Sequence, residues 1–468
     1  MNIENPERPR ADALAPADSP EEALRASAAA TAGGRHASEP PGAGRHRLAG
    51  GLVDRSRRVA FVFDDRRFEG HPGDTLASAL LANGQRLVAR SFKYHRPRGI
   101  FSAGSEEPNA LVTLGTGAFR EPNTRATVTE LHAGLEARSQ NHIGPLAFDP
   151  MALNDRLSAF LGAGFYYKTF TWPKAFWERL YEPVIRRAAG LGALSGRPDP
   201  DAYDRGWLHA ELLVVGAGPA GLAAALGAAR RGVRLILADE DFLPGGRLNA
   251  ERQGVDDREG RDWAREAVAE LASLDNVRLL TRTCVFGAFD HGMYGALERQ
   301  GDHLPDRVAA ESRRGANTSA GGSIGDGPRQ VLWRIRAARC IVATGATERS
   351  LAFGDNDRPG IMLAGSVRAY ANRWGVAAGS RVALFTDNDD GWRTARDLAR
   401  AGVEVRAVVD TRSEAGRTPA TDIKSVPGAR LFAGDTVAST RGRLGLRGVT
   451  LSGGERLDVD CLAVSGGW

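Results

Sequence analysis

Residues 211–221, Glu-Leu-Leu-Val-Val-Gly-Ala-Gly-Pro-Ala-Gly, decide the fold. A short apolar strand runs into a tight glycine turn and then the first turn of a helix. Gly216 lets the strand turn sharply, Gly218 leaves room for backbone to approach a pyrophosphate, and Gly221 lets the helix pack against the strand. Ala220 completes the cradle. The helix N-terminus offers free N–H groups and a positive dipole end to an anion, and Pro219 sits where a missing N–H costs least. Leu222–Arg231 continues the helix to Gly232. A second apolar strand, Val233–Ala238, then ends in Asp239-Glu240-Asp241. A carboxylate about 20 residues past the glycines suits a ribose 2′-OH, and Asp239 is in that register with Glu240 and Asp241 beside it. Such acids disfavour a 2′-phosphate, so NAD or FAD fits better than NADP. The plain alternative is a strand–helix turn with no ligand.

Outward from this unit, the pattern predicts a helix over 260–274, a strand over 277–289, a polar Gly/Ser-rich loop over 300–329, a strand over 331–336, and a separate buried strand, Arg339-Cys-Ile-Val-Ala-Thr-Gly-Ala346. Val285 is placed to meet an adenine through its backbone. A second βαβ unit follows at about 379–412, with strand Val382–Thr386, helix Trp392–Arg400 and strand Val403–Val409. Its turn reads Asp387-Asn-Asp-Asp-Gly391, with three carboxylates where glycines would cradle a pyrophosphate. Like charges ~4 Å apart cost about 1 kcal/mol even when well solvated. This half is therefore expected to keep the fold and to bind no dinucleotide in the usual pose.

Residues 1–50 lack an apolar period and read as a disordered tail. From 57 to 140 the chain predicts strand Val59–Phe63, a hairpin turn at Asp64-Asp65, a return over Arg67–Glu69, and helix Leu76–Asn83 capped by Asp74 or Thr75. Short strands at Arg86–Ala89, Ala110–Leu114 and Ala126–Thr129 complete a small β-grasp pattern. Residues 141–207 hold many aromatics and several prolines, a helical connector expected to pack on a neighbouring surface, or an aromatic ligand box. Residues 208–468 form the Rossmann-like part.

The charged fraction is 25%, the hydrophobic fraction 42% and the net charge +5 over 468 residues. This is ordinary soluble composition and gives no reason to expect nucleic acid or a membrane. The three cysteines, Cys284, Cys340 and Cys461, are far apart, so neither a disulfide framework nor a metal pair is expected, and a reducing cytoplasm fits. No apolar run approaches the ~20 residues of a membrane span, and the N-terminus lacks a secretory pattern. His132, His142 and His209 have no ligand partner at metal spacing and read as structural.

Several blocks resemble the alpha subunit of the heterotetrameric sarcosine oxidase family. They are Gly73-Asp-Thr-Leu-Ala-Ser-Ala-Leu-Leu-Ala-Asn-Gly84, Arg90-Ser-Phe-Lys-Tyr-His-Arg-Pro-Arg-Gly99, Glu106-Glu-Pro-Asn-Ala-Leu111 and Ser139-Gln-Asn141. Further blocks are Ala163-Gly-Phe-Tyr-Tyr-Lys-Thr-Phe170, Ala343-Thr-Gly-Ala-Thr-Glu-Arg349, Asn356-Asp-Arg-Pro-Gly360 and the final Ala463-Val-Ser-Gly-Gly-Trp468. The likeness runs in order over about 57–468. It implies a two-dinucleotide-binding oxidoreductase fold behind a β-grasp domain, in a complex with beta, gamma and delta subunits. That complex demethylates sarcosine to glycine, passing one carbon to tetrahydrofolate and electrons to oxygen. The resemblance gives NAD to this chain and FAD and FMN mainly to the beta subunit, with this chain inactive alone and its catalytic residues unassigned. It also implies that Gly245-Gly246-Arg247 border the nucleotide, with Arg247 in reach of a phosphate; a surface charge is the plain alternative for each flanking residue. An Ala343-Thr-Gly345 turn closes over the cofactor in such folds.

Two departures stand out. The sequence ends at Trp468, inside the family's pattern, so the folate-binding domain is expected to be absent. The β-grasp domain resembles a [2Fe–2S] ferredoxin, yet residues 57–150 contain no cysteine, and a cluster needs thiolates. The basic run Arg90, Lys93, His95, Arg96, Arg98 is expected to face the flavin-bearing partner or a flavin phosphate, and Lys168 has the same two readings with packing favoured. Two further functional readings remain open: an FAD-dependent amino-acid or opine dehydrogenase or cyanide-synthase-like subunit, and a non-catalytic Rossmann scaffold.

Overall fold

The computed structural model describes residues 44, 46–159, 162, 164, 172–189, 192–304, 327–413, 418 and 421–468. The predicted tail up to residue 43, Lys168, most of the Ala163–Phe170 block and the centre of the 300–329 segment lie outside the described residues.

Asp64 and Asp65 both take left-handed backbone, φ 48° and 62°. That geometry joins β1 (Val59–Phe63) to β2 (Arg66–Gly70) with a twist that matches the strands. Thr75 caps α1 (Leu76–Ala82) in a reciprocal capping box with Ser78. Three more strands, β3 (Leu111–Leu114), β4 (Glu121–Arg125) and β5 (Glu136–Ser139), complete a mixed sheet of order β2-β1-β5-β3-β4 in which β1 and β5 are parallel. The expected strand at 126–129 is not there. Its place is taken by β4, whose Glu-Pro-Asn-Thr-Arg sequence has no apolar alternation because it lies at the sheet edge. The expected strand at 86–89 shrinks to Ala89–Arg90, paired with Pro97–Arg98.

The nucleotide-type half is a six-stranded sheet of order β8-β7-β6-β11-β10-β9. Its strands are β6 (Tyr203–Val215), β7 (Leu235–Ala238), β8 (Val277–Leu280), β9 (Thr283–Phe289), β10 (Met293–Arg299) and β11 (Gln330–Val342). Helices α2 (Pro219–Ala229) and α3 (Gly260–Ala272) cover one face through Leu222, Leu226, Val268 and Leu271. Two expectations are corrected here. The strand over 277–289 breaks at Arg282, which adopts φ 53°, and its second part moves to the far edge against β10. The two strands expected over 331–346 are one 13-residue strand, parallel to β6 throughout. Its end is not buried: Val342 is 72% exposed.

The second half is an all-parallel sheet of order β12-β17-β13-β14-β15, from β12 (Ile361–Leu363), β13 (Arg381–Thr386), β14 (Glu404–Asp410), β15 (Arg430–Ala433) and, after the antiparallel strand β16 (Leu446–Leu451) of a small separate sheet, β17 (Cys461–Ser465). Helix α4 (Ala364–Arg373) lies between this half and the β-grasp-like sheet, so Tyr370 and Trp374 share one core with Phe61 and Leu80. Helix α5 starts at Asp389 rather than Trp392, because the Asn388 side chain accepts from the N–H groups of Asp390 and Gly391.

The connector's described residues form short turns and a helix over 182–189, and from Tyr203 they already belong to β6. Among its aromatics, Phe148 and Phe176 are exposed and Trp172 is 83% exposed.

Candidate dinucleotide site

The glycine turn has the shape that its sequence requires. Gly216 has φ 98°, and a Cβ there would lie 2.4 Å from the Ala343 carbonyl oxygen. A Cβ on Gly221 would lie 1.8 Å from the Gly216 carbonyl oxygen. Gly218, at the N-cap of α2, meets nothing within 4 Å and has no side-chain cap. The first N–H groups of α2 are thus left for a ligand, beside backbone that a Cβ would obstruct. Ala220 sits exposed in that first turn. Gly245 donates its N–H to Ala217 O at 2.8 Å, which brings Gly246, φ 53°, to where a Cβ would be 3.0 Å from Gly218 Cα. The sequence-spaced pieces 216–221, 245–246 and 343–345 are therefore brought together.

Asp239 closes β7. Its carboxylate accepts from the N–H of Ala217 and, at 2.8 Å, from that of Asp241. Burial pushes its pKa up to about 6, with the charges of Asp241 and Glu240 adding. The Thr283 N–H donates to Asp239 O at 2.7 Å, so the start of β9, with Val285 two residues on, abuts the acid. Glu240 accepts from Ser105 Oγ at 2.6 Å.

Asp241 and Arg247 are both engaged by partners within the chain. Both carboxylate oxygens of Asp241 are taken by Arg373, at 2.5 and 2.8 Å. Burial opposes ionisation of Asp241, and the Arg373 charge outweighs it and lowers the pKa. Arg247 pairs with Glu251, donates to Asp390 at 3.2 Å and lies 3.8 Å over the Trp468 ring. Sequence spacing could not reveal Arg373 or Ser105, because each is brought in from over 100 residues away.

The second half has no corresponding cradle. Asn388 already caps α5, and Asp390 accepts from Arg368 at 2.9 Å and from the Trp468 indole at 2.8 Å. Burial raises the Asp390 pKa, but Arg368 and its other donors reverse the shift. Asp389 pairs with Arg412 at 2.8 Å. The expected mutual repulsion is corrected for two of the three carboxylates: arginines pair with Asp389 and Asp390, while Asp387 accepts from Asn388 Nδ2 at 2.9 Å.

The basic run is corrected too. It closes the chain on itself. Arg90 is buried and donates to the carbonyls of Leu146 and His95, both at 2.9 Å. His95 meets Asp149 at 2.6 Å, Arg96 meets Asp155 at 2.6 Å, and Arg98 meets Asp357 at 2.6 Å. His142 is held by Ser139 Oγ and Gly144 O. Among the described residues, no group of three His, Cys, Asp or Glu is arranged to hold a metal ion, and no helix is long and apolar enough to cross a membrane.

Residues 56–142 match the 2Fe-2S iron-sulfur cluster binding domain family, and residues 211–285 match the FAD dependent oxidoreductases. The chain is 52% identical over 421 residues to the sarcosine oxidase subunit alpha of Rhizobium meliloti (strain 1021), covering 89% of this chain and 40% of that protein. It is 37% identical over 430 residues to the same-named subunit of Corynebacterium sp. (strain P-1), covering 89% and 38%. The chain thus spans about 40% of the length of these curated relatives. L-proline dehydrogenase from P. horikoshii shares the fold, with a TM-score of 0.57 at 18% identity over 90% of this chain and 62% of that one. The cluster-binding description does not fit the residues present: 56–142 contain no cysteine, and iron ligation in such clusters needs thiolates.

Proposed function

We propose that the chain holds an adenine dinucleotide, NAD, as the nucleotide-binding part of a multisubunit oxidoreductase that oxidises sarcosine. The observation that carries this reading is the uncapped N-terminus of α2 beside Gly218, with the buried Asp239 carboxylate at the end of the next strand. Gly218 admits the pyrophosphate, the α2 N–H groups donate to it, and Asp239 accepts from the ribose hydroxyls. The nicotinamide, when bound, offers a two-electron carrier or serves only as a structural brace.

The relatives' designation as subunit alpha supports an assembly, with beta, gamma and delta subunits supplying the FAD and FMN chemistry. Exposed apolar side chains of the connector (Trp172, Phe176, Leu180) and of the β9–β10 meander (Phe286, Phe289) suit burial by other chains. FAD in place of NAD is the second reading, favoured by the match of residues 211–285 to FAD dependent oxidoreductases. Denaturing the purified chain and identifying the released nucleotide tests both. NAD supports the first reading, FAD the second, and no nucleotide leaves a scaffold.

A further inference from the structure

We propose that the β-grasp loop 100–110 forms the ribose wall of the dinucleotide site, set in shape by Glu107 and closed by the Ser105–Glu240 hydrogen bond, and that it selects adenosine without a 2′-phosphate. The inference rests on reading residues 211–285 as the dinucleotide cradle.

A domain of the ferredoxin type without cysteines needs another centre to order its loops. Glu107 supplies one here. Its side chain is in a residue only 1% exposed. One carboxylate oxygen accepts from Phe101 N at 2.9 Å, Ser102 N at 2.7 Å and Ser102 Oγ at 3.2 Å. The other accepts from Asn109 N at 2.8 Å and Ala110 N at 3.0 Å. Both ends of the loop are thus tied to one group. Hydrogen bonds to a charged acceptor are the strong kind, and these five offset part of the cost of burial, which still holds the Glu107 pKa above the ordinary glutamate value. Outside contacts fix the loop further: Leu363 N–H to Phe101 O at 2.9 Å, Tyr370 Oη to Ser102 O at 2.9 Å and Thr127 Oγ1 to Gly104 O at 2.7 Å.

This fixed loop presents Ser105 to Glu240, the residue after the ribose acid. Arg299 holds the Glu240 carbonyl at 2.8 Å and reaches Val128 O at 3.2 Å. Glu130 clamps Arg282 through two bonds, at 2.5 and 2.8 Å. The β-grasp domain therefore docks where the adenosine end of a dinucleotide lies. Ser105 holds the Glu240 carboxylate beside Asp239. A 2′-phosphate entering there would bring further negative charge against these two acids, whereas a free hydroxyl donates to them.

The test titrates the full chain with NAD, NADP and FAD and records thermal stability for wild type, Ser105→Ala, Ser105→Thr and Glu107→Gln. We expect Ser105→Ala to reduce the preference for NAD over NADP about tenfold, the scale of one hydrogen bond to a charged group. Its melting temperature should hold, and Ser105→Thr, which keeps the hydroxyl, should restore the preference. Glu107→Gln should reproduce the Ser105→Ala loss; if it does not fold, the Ser105 pair decides. An unchanged NAD-to-NADP ratio in Ser105→Ala, with the wild type binding dinucleotide, overturns this inference alone. A wild type that binds neither NAD nor FAD overturns the cradle reading beneath it.

Discussion

Arg373 and Asp241 form a two-point ion pair, at 2.5 and 2.8 Å, that ties the buried helix α4 to the loop just past Asp239. The pair joins the two Rossmann halves two residues past Asp239. Arg373 also lies 5.1 Å from the Phe242 ring centre and 4.5 Å from that of Trp374. Removing one partner strands the other. Arg373→Met should cost about 3 kcal/mol in urea unfolding, and Arg373→Met with Asp241→Asn should cost less than the sum of the single changes. Strict additivity would show that the pair is not coupled.

Gly218 and Gly221 separate binding from folding. A Cβ at Gly218 meets no protein atom within 4 Å, and its φ of −74° suits alanine. Gly218→Ala should unfold within about 0.5 kcal/mol of wild type yet lose dinucleotide affinity. Gly221→Ala, blocked by the Gly216 carbonyl oxygen, should lose both. Unimpaired nucleotide binding by Gly218→Ala would place the ligand elsewhere.

Asp239 gives binding a pH profile. Its pKa of about 6 means that it is protonated in acid and ionised above. The ionised form accepts from ribose hydroxyls, so NAD affinity should rise with pH up to about 6 and level off beyond. Below that point the slope approaches about tenfold per unit. Asp239→Asn should bind weakly and without this slope. A flat wild-type profile between pH 5 and 7 would count against the ribose role.

Glu348 gives stability a different window. The residue is 5% exposed, its carboxylate accepts from Gly365 N at 2.7 Å, and burial pushes its pKa up to about 7. The folded chain holds this proton while the unfolded chain, with a pKa near about 4.3, has lost it. Stability should therefore fall as pH rises from about 4 to about 7, by about 4 kcal/mol at most, and stay flat above. Asp239 contributes a fall of the same sign that is complete near pH 6. Glu348→Gln should flatten the interval from about pH 6 to 7, as read by urea unfolding; a slope that persists in the variant would assign it to another group.

Local rules in the chain determined the glycine turn, the acid at the end of the next strand, the Asp64-Asp65 hairpin and the Thr75 cap, since each depends on residues a few positions apart. They also determined that residues 56–142 offer no thiolate. Edge strand β4 was hidden because Glu-Pro-Asn-Thr-Arg has no apolar alternation to read, and of β11 both halves were legible but not their continuity across Ala337 and Ala338. Only the tertiary structure decided the fate of the charges. Asp241, Arg96, Arg98 and Asp390 look free in sequence and are bound to partners brought from elsewhere in the chain, whereas Ser105 looks unremarkable and reaches Glu240. Backbone geometry is set by neighbours in the chain, but a charge is spent on whatever group lies within about 4 Å, and that proximity exists only after the sheets have packed.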